Sequence, residues 1–136
     1  MAKKFEVVGD EALRTEFMSK EAGVTIAAGD LVAADSNGYA ILATATSTAV
    51  AYAPRGAASA DLKCEVTIGN DFILKGTGDA AFAITQKGTL VDITTTTQLI
   101  DVGESSIDVL KISPMVDAGV AGSTAGIKVK INKPLF

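Results

Sequence analysis

Residues 24–42 read VTIAAGDLVAADSNGYAIL, and this stretch decides the fold. Short runs of apolar residues alternate here with two turn sequences, Ala28-Gly29-Asp30 and Ser36-Asn37-Gly38. Asn and Gly both tolerate positive φ, so the pair Asn37-Gly38 predicts a tight hairpin turn of type I′. The stretch therefore predicts three short strands joined by turns, and it contains no obvious catalytic residue.

Alternation of apolar and polar residues continues from Val24 to the end of the chain. Its clearest example is Ile127-Lys128-Val129-Lys130-Ile131, which predicts a strand with an apolar inner side and lysines outside. The predicted strands are 24–27, 31–35, 39–45, 48–53, 64–68, 72–75, 81–85, 89–94, 98–102, 107–112 and 126–132. Strands at this spacing predict an all-β fold, either a barrel or a sandwich.

The composition indicates one domain with a core of small side chains. The chain has 136 residues, of which 48% are hydrophobic, but aromatic residues make up only 5% and Trp is absent. Burial stabilises by about 25 cal/mol per Å² of apolar surface, and Ala and Val each supply little surface. We therefore expect modest stability for an isolated copy, or additional support from contacts between subunits.

Charge divides the chain at residue 23. Nine charged residues lie in positions 1–23, a density that the rest of the chain does not reach. We interpret 1–23 as a charged N-terminal arm and 24–136 as a single β-rich domain. The arm reads either as a short helix that begins at Asp10 or as an extended segment. The extended interpretation is preferred because the apolar stripe of the helix would be weak. Deletion of residues 2–20 is accordingly expected to leave the domain folded.

Few residues of the chain could perform catalysis or hold a cofactor. Histidine is absent, which removes the most common general base and metal ligand. Cys64 is the single cysteine and reads as a half-buried strand residue. The carboxylate pairs Asp30 with Asp35 and Asp92 with Asp101 lie at turns or strand ends, where Asp is expected for solvation. We predict no enzyme activity and no cofactor.

Partial motifs also favour a structural role. Asp35-Ser36-Asn37-Gly38 opens like a calcium loop, but position twelve of that loop would be Thr46 instead of Glu, so no metal site is predicted. Gly76-Thr77-Gly78 is half of a dinucleotide fingerprint, but a strand is predicted after it where that fingerprint needs a helix.

The termini and the charge distribution predict the compartment and exclude some partners. No apolar run follows the N-terminal basic pair, and none approaches the roughly 20 residues that span a bilayer, so we expect synthesis in a cytoplasm and no membrane contact. The formal net charge is −4 and the basic residues are scattered along the sequence. Nucleic-acid binding requires a clustered basic face, so we expect no direct contact with nucleic acid.

Two segments carry a family resemblance. Residues 28–40, AGDLVAADSNGYA, followed by 48–53, TAVAYA, resemble the core of tailed-bacteriophage capsid decoration proteins, which are also called head-stabilising or cement proteins. The shared pattern is a charged arm, a Gly-Asp turn before an apolar pair, an Asp three residues later, a turn glycine, and a strand that leads to a segment of small residues.

The resemblance implies a small β-barrel or β-tulip fold, assembled as a homotrimer on the exterior of the virion capsid. Such a protein would stabilise the expanded shell against the pressure of packaged DNA, with its arm lying along the major capsid protein. Carried over by position, the arm is 2–23. Its implied apolar contacts are Phe5, Val7, Leu13 and Phe17, and its implied charge partners for an acidic shell are Lys3, Lys4 and Arg14.

Other assignments stay open at this point. The chain could be another structural component of a phage, such as a tail-tube or head-fibre protein. It could also be a non-catalytic binding module. A lipoyl-type domain would present a lysine at its hairpin tip, but the tip here is Ser36-Asn37-Gly38. A carbohydrate-binding module would need aromatic side chains for stacking, and these are scarce.

Overall fold

A computed structural model of the chain describes residues 4–8, 13–95 and 97–136. Within them lie a short 3₁₀ helix, Ile84–Gln86, and eleven strands. The strands are β1 (Phe5–Val7), β2 (Thr15–Ser19), β3 (Leu31–Ala34), β4 (Ala40–Leu42), β5 (Ala51–Tyr52), β6 (Lys63–Thr67), β7 (Leu74–Gly76), β8 (Leu90–Ile93), β9 (Ile100–Asp101), β10 (Leu110–Ile112) and β11 (Ile127–Ile131). The predicted all-β fold is confirmed.

The strands form three sheets whose pairings are antiparallel. The largest has the order β1-β7-β11-β10-β8-β9, the second has the order β4-β3-β5, and the third consists of β2 and β6. Two buried clusters of apolar side chains lie between these sheets. The first cluster joins the six-stranded sheet to the three-stranded sheet, and the second joins the three-stranded sheet to the β2–β6 pair. The architecture is therefore sandwich-like.

The three-stranded sheet is buried on both of its faces. On β3, Leu31 and Ala33 belong to the first cluster, whereas Val32 belongs to the second. Successive side chains on a strand point to opposite faces, so β3 contributes to two cores at once. This position explains why Leu31–Ala34 reads as a run of apolar residues and not as a one-sided strand.

Small side chains let the layers on the second face approach closely. The second cluster contains Ala40, Ala51, Ala53 and Ala57, together with larger residues such as Met18. Because protein interiors pack without large voids, a layer built of alanine side chains is thin.

The hairpin between β3 and β4 differs from the type I′ turn that we predicted. Gly38 has a φ of +84°, but Asn37 does not share the positive φ that this turn type requires. Instead, the Asp35 carboxylate accepts the backbone N–H groups of Asn37 and Tyr39, each at 2.9 Å, and the Gly38 N–H donates to the Asp35 carbonyl. The aspartate thus selects a longer turn with one left-handed glycine.

The described parts of 1–23 are extended, as preferred, and both strands belong to the sheets. β1 pairs with β7, where Phe5 lies opposite Gly76, and β2 pairs with β6 over its whole length. Phe5 is fully buried in the first cluster, and a Cβ at Gly76 would lie 2.6 Å from its ring. This packing argues against the expectation that deletion of residues 2–20 leaves the domain folded.

Two predicted strands are wrong. Residues 24–27 make a single bridge, between Ile26 and Ala57, instead of a strand. Residues 81–85 contain only one buried side chain, Phe82, and lead into the 3₁₀ helix. The other nine predicted strands overlap observed ones, with ends that differ by a few residues.

Of the two predicted architectures, the sandwich is the compatible one. The six-stranded sheet curls so that Gly78, beyond β7, forms an isolated parallel bridge with Ile100 of β9. Two hydrogen bonds support this bridge, from Ile100 N–H to the Thr77 carbonyl and from Asp79 N–H to the Ile100 carbonyl. No ladder of the described residues closes the sheet, so it is not a complete barrel.

Candidate functional site

Exposed apolar side chains gather around β2. Phe17 is 68% exposed, Leu62 is 64% exposed and Phe136 is 54% exposed. Phe17 and Leu62 line one groove of about 600 Å³, and Phe17 and Phe136 line a second of about 260 Å³. We call these three residues the Phe17 patch. Apolar surface of this kind, rimmed by polar groups, is typical of protein interaction sites.

Charged side chains surround the larger groove. Arg55, Asp61, Lys63 and Glu65 line it together with the apolar residues. The Glu65 carboxylate is held in place, because it accepts a hydrogen bond of 2.7 Å from the Thr15 hydroxyl and lies 3.6 Å from the Arg55 guanidinium. The groove therefore offers apolar contact at its centre and both signs of charge at its rim.

One edge of β2 is open for pairing over Thr15 and Phe17, although Lys20, directly after β2, forms an isolated bridge with Ala40 of β4. Among the described residues β2 pairs only with β6, through bonds that include Lys20 N–H to the Leu62 carbonyl and Ile68 N–H to the Arg14 carbonyl. Because the direction of backbone groups alternates along a strand, those of Thr15 and Phe17 point away from β6. An extended segment of a partner could pair there and contact the Phe17 patch.

The charged residues predicted for the arm have different surroundings. Lys3 lies outside the described residues. Lys4 forms an ion pair of 3.3 Å with the buried Asp30, which also accepts the Ala27 N–H, so this lysine stabilises a turn of the protein itself. Arg14 is exposed beside β2. Of these residues, Arg14 is the one that the structure places near the Phe17 patch.

Of the apolar residues predicted for the arm, three pack in or against the core and one is exposed. Phe5 lies in the core, so its side chain is not available to a partner in this structure. Val7 and Leu13 are half-buried and pack against the first cluster. Phe17 is the exposed one. Sequence reasoning missed Leu62 and Phe136, which the pairing of β2 with β6 and the path of the C-terminal segment bring to Phe17.

The two carboxylate pairs considered for catalysis serve other roles here. Asp35 caps the hairpin and Asp30 caps a turn. Asp92 and Asp101 are register partners on β8 and β9. Asp92 is buried and accepts the backbone N–H groups of the loop at 106–108, at distances between 2.7 and 3.1 Å.

Asp101 has a perturbed acidity. Desolvation, a hydrogen bond with Asp79 and the negative charges of Asp79, Glu104 and Asp92 raise the pKa of Asp101 to about 6. Desolvation is the largest of these causes, and carboxylate clusters that raise a pKa also occur at sites without chemistry. We therefore assign no reaction to this group.

In the part of the chain that the structure describes, no group of three or more His, Cys, Asp or Glu side chains is arranged to hold a metal ion. No helix there has the length and hydrophobicity needed to cross a membrane. Cys64 is buried rather than half-buried, and burial raises the pKa of its thiol.

Comparison with protein-family models, curated proteins and solved structures finds no match for this chain.

Proposed function

We propose that this chain is a structural virion protein that binds the outside of an icosahedral phage capsid and stabilises the expanded shell against internal DNA pressure. Its partner is the major capsid protein, and it acts as a homotrimer. The observation that supports this proposal best is the Phe17 patch beside the open edge of β2. A protein-binding surface with apolar centre and unpaired backbone groups fits a clamp between neighbouring shell subunits.

The role of the N-terminal segment changes with the structure. The resemblance implied that the whole arm lies along the shell, but β1 is part of the core. We therefore place the contact on β2 and its neighbours Leu62 and Phe136. Mechanical stabilisation follows if each copy bridges two shell subunits, because separating them then requires removal of apolar surface from the interface.

Co-sedimentation with expanded, decoration-free capsids of the source virus tests this function. We expect saturable binding in multiples of three copies and a higher temperature of shell disruption. Absence of binding would sink the proposal and favour another virion component, such as a tail-tube or head-fibre protein, or a binding module outside the virion.

A pair of variants tests the site separately from the function. Phe17→Ser is expected to weaken capsid binding at least tenfold, because it removes a large aromatic anchor from the interface. Ile84→Ser is the matched control, since Ile84 is 63% exposed and lies outside the Phe17 patch. If both variants bind like the unchanged protein, the function stands and the assignment of the patch is wrong.

A further inference from the structure

Four lysines lie on the outer surface of the six-stranded sheet. Lys75 of β7, Lys128 and Lys130 of β11, and Lys111 of β10 each sit between buried neighbours on their strands. The register places Lys128 opposite Lys75 and Lys130 opposite Lys111, so all four share one face. We call this the lysine face. Four of the chain's twelve basic residues, which look scattered in the sequence, are thus clustered in the fold.

This arrangement is unfavourable for the fold by itself. Like charges directly opposite each other on antiparallel strands destabilise a sheet. Lys75 lies 3.9 Å from the Glu6 carboxylate, and Lys128 lies 2.6 Å from that of Asp117. Among the described residues, Lys111 and Lys130 form no ion pair or hydrogen bond through their side chains. Two facing ammonium groups are therefore left without a counter-charge.

A groove lies beside these two lysines. Its volume is about 360 Å³, and its other walls include Ile73, Pro114 and Met115. Met115 is 61% exposed, and the next residue, Val116, is 86% exposed. The groove thus combines two cationic groups with an apolar wall.

We propose that the lysine face and this groove bind an extended acidic segment of another polypeptide. Carboxylates of the segment pair with Lys111 and Lys130, and its apolar side chains contact Met115 and Pro114. The other two lysines of the face, Lys75 and Lys128, already form such ion pairs, with Glu6 and Asp117. This site is separate from the Phe17 patch and does not rest on the proposed function.

The surroundings favour a polypeptide over a nucleic acid. The lysine face contains no arginine and no aromatic side chain on which a base could stack. Its flanking carboxylates, Glu6 and Asp117, repel phosphates and peptide carboxylates alike, so the apolar wall of Pro114 and Met115 decides between the two classes of partner. An acidic peptide with interspersed apolar residues matches both the charge and the apolar wall.

Binding of labelled peptides, measured by fluorescence anisotropy at low salt, tests the proposal. The probe is a peptide of alternating Glu and Leu, and the uncharged reference is the same peptide with Gln in place of Glu. We expect binding of the Glu peptide only, weakened by added salt. The double variant K111Q/K130Q is expected to bind roughly tenfold more weakly, because two charge pairs are lost.

The matched control is K133Q, compared with the single variants K111Q and K130Q, because Lys133 is exposed outside both the face and the Phe17 patch and each change removes one charge. It is expected to bind the Glu peptide like the unchanged protein. Urea unfolding of K111Q/K130Q should show an equal or higher midpoint, because the like-charge contact is removed, so a loss of binding cannot be attributed to unfolding.

Several outcomes would overturn the inference. One is no binding of the Glu peptide, and another is binding that K111Q/K130Q leaves unchanged. Tighter binding of a duplex DNA oligonucleotide than of the peptide, lost in K111Q/K130Q, would assign the face to nucleic acid. Salt-sensitive self-association of the protein alone, lost in the same variant, would assign it to a second copy.

Discussion

Single buried polar side chains hold the irregular segments of this protein in place. The Lys20 ammonium group is buried and donates to the carbonyl oxygens of Glu21, Val24 and Ser59. Gln98 is also buried, and it has a left-handed φ of +50°. Such conformations are unfavourable for residues other than glycine, so each must be held by its contacts.

Gln98 permits a direct test of this role. Its amide donates to the carbonyls of Leu31 and Ala43, at 2.7 and 3.0 Å, and its oxygen accepts the Leu31 N–H at 2.8 Å. Gln98→Ala leaves the Leu31 N–H and the Ala43 carbonyl without partners, while the Leu31 carbonyl keeps the Ala43 N–H at 3.0 Å. We expect the variant to lower the free energy of unfolding by about 2–4 kcal/mol. Urea denaturation measures the change.

The control for this prediction separates hydrogen bonding from backbone strain. Gln98→Gly removes the same bonds but relieves the left-handed conformation, so it is expected to be more stable than Gln98→Ala by about 1 kcal/mol. Equal stability of Gln98→Ala and the unchanged protein would show that the amide does not hold the start of β3.

At the scale of the element, β1 and β2 belong to one charged segment but differ in their effect on stability. Phe5→Ala removes a fully buried ring over Gly76, and we expect a loss of about 3–5 kcal/mol. Phe17→Ala removes a ring that is exposed, so its effect should stay within about 0.5 kcal/mol. Urea midpoints of the two variants measure the difference. A stable Phe5→Ala variant would mean that β1 is a detachable arm after all.

The elements that could be predicted from sequence are those whose pattern is local. Residues 127–131 alternate strictly, and they form β11 with the predicted inner and outer sides. Residues 81–85 look similar, but only Phe82 finds a place in the core, and the Gln86 side chain accepts the Ala83 N–H to form a 3₁₀ turn. Local alternation therefore indicates a strand only where a neighbouring strand is present to pair with it.

The candidate sites depend on pairing between distant strands, which sequence patterns do not show. Lys111 and Lys130 become neighbours only through the register of β10 with β11. Similarly, Phe17 meets Leu62 because β2 pairs with β6. The exposed Phe17 could be predicted as a contact residue, but its surface partners could not, and charge density alone could not distinguish the buried Phe5 from it.

For the whole molecule, the shared middle layer predicts cooperative unfolding. β3 sends Leu31 to the first cluster and Val32 to the second, and β5 divides Tyr52 and Ala51 in the same way. Opening either cluster exposes one face of this common sheet, so neither is expected to persist alone. We predict a single two-state transition in urea.

Two probes, one in each cluster, measure whether the two clusters unfold together. Tyr52 fluorescence reports the first cluster once the exposed Tyr39 has been replaced in a Tyr39→Phe background. Thiol labelling of Cys64 reports the second, because this side chain is 1% exposed and burial raises the pKa of its thiol, which slows its reaction until the cluster opens. The two urea midpoints are expected to coincide. Labelling of Cys64 at urea concentrations that leave the Tyr52 signal unchanged would mean that the β2–β6 layer separates first, and that the sheet bearing the Phe17 patch is an independent unit.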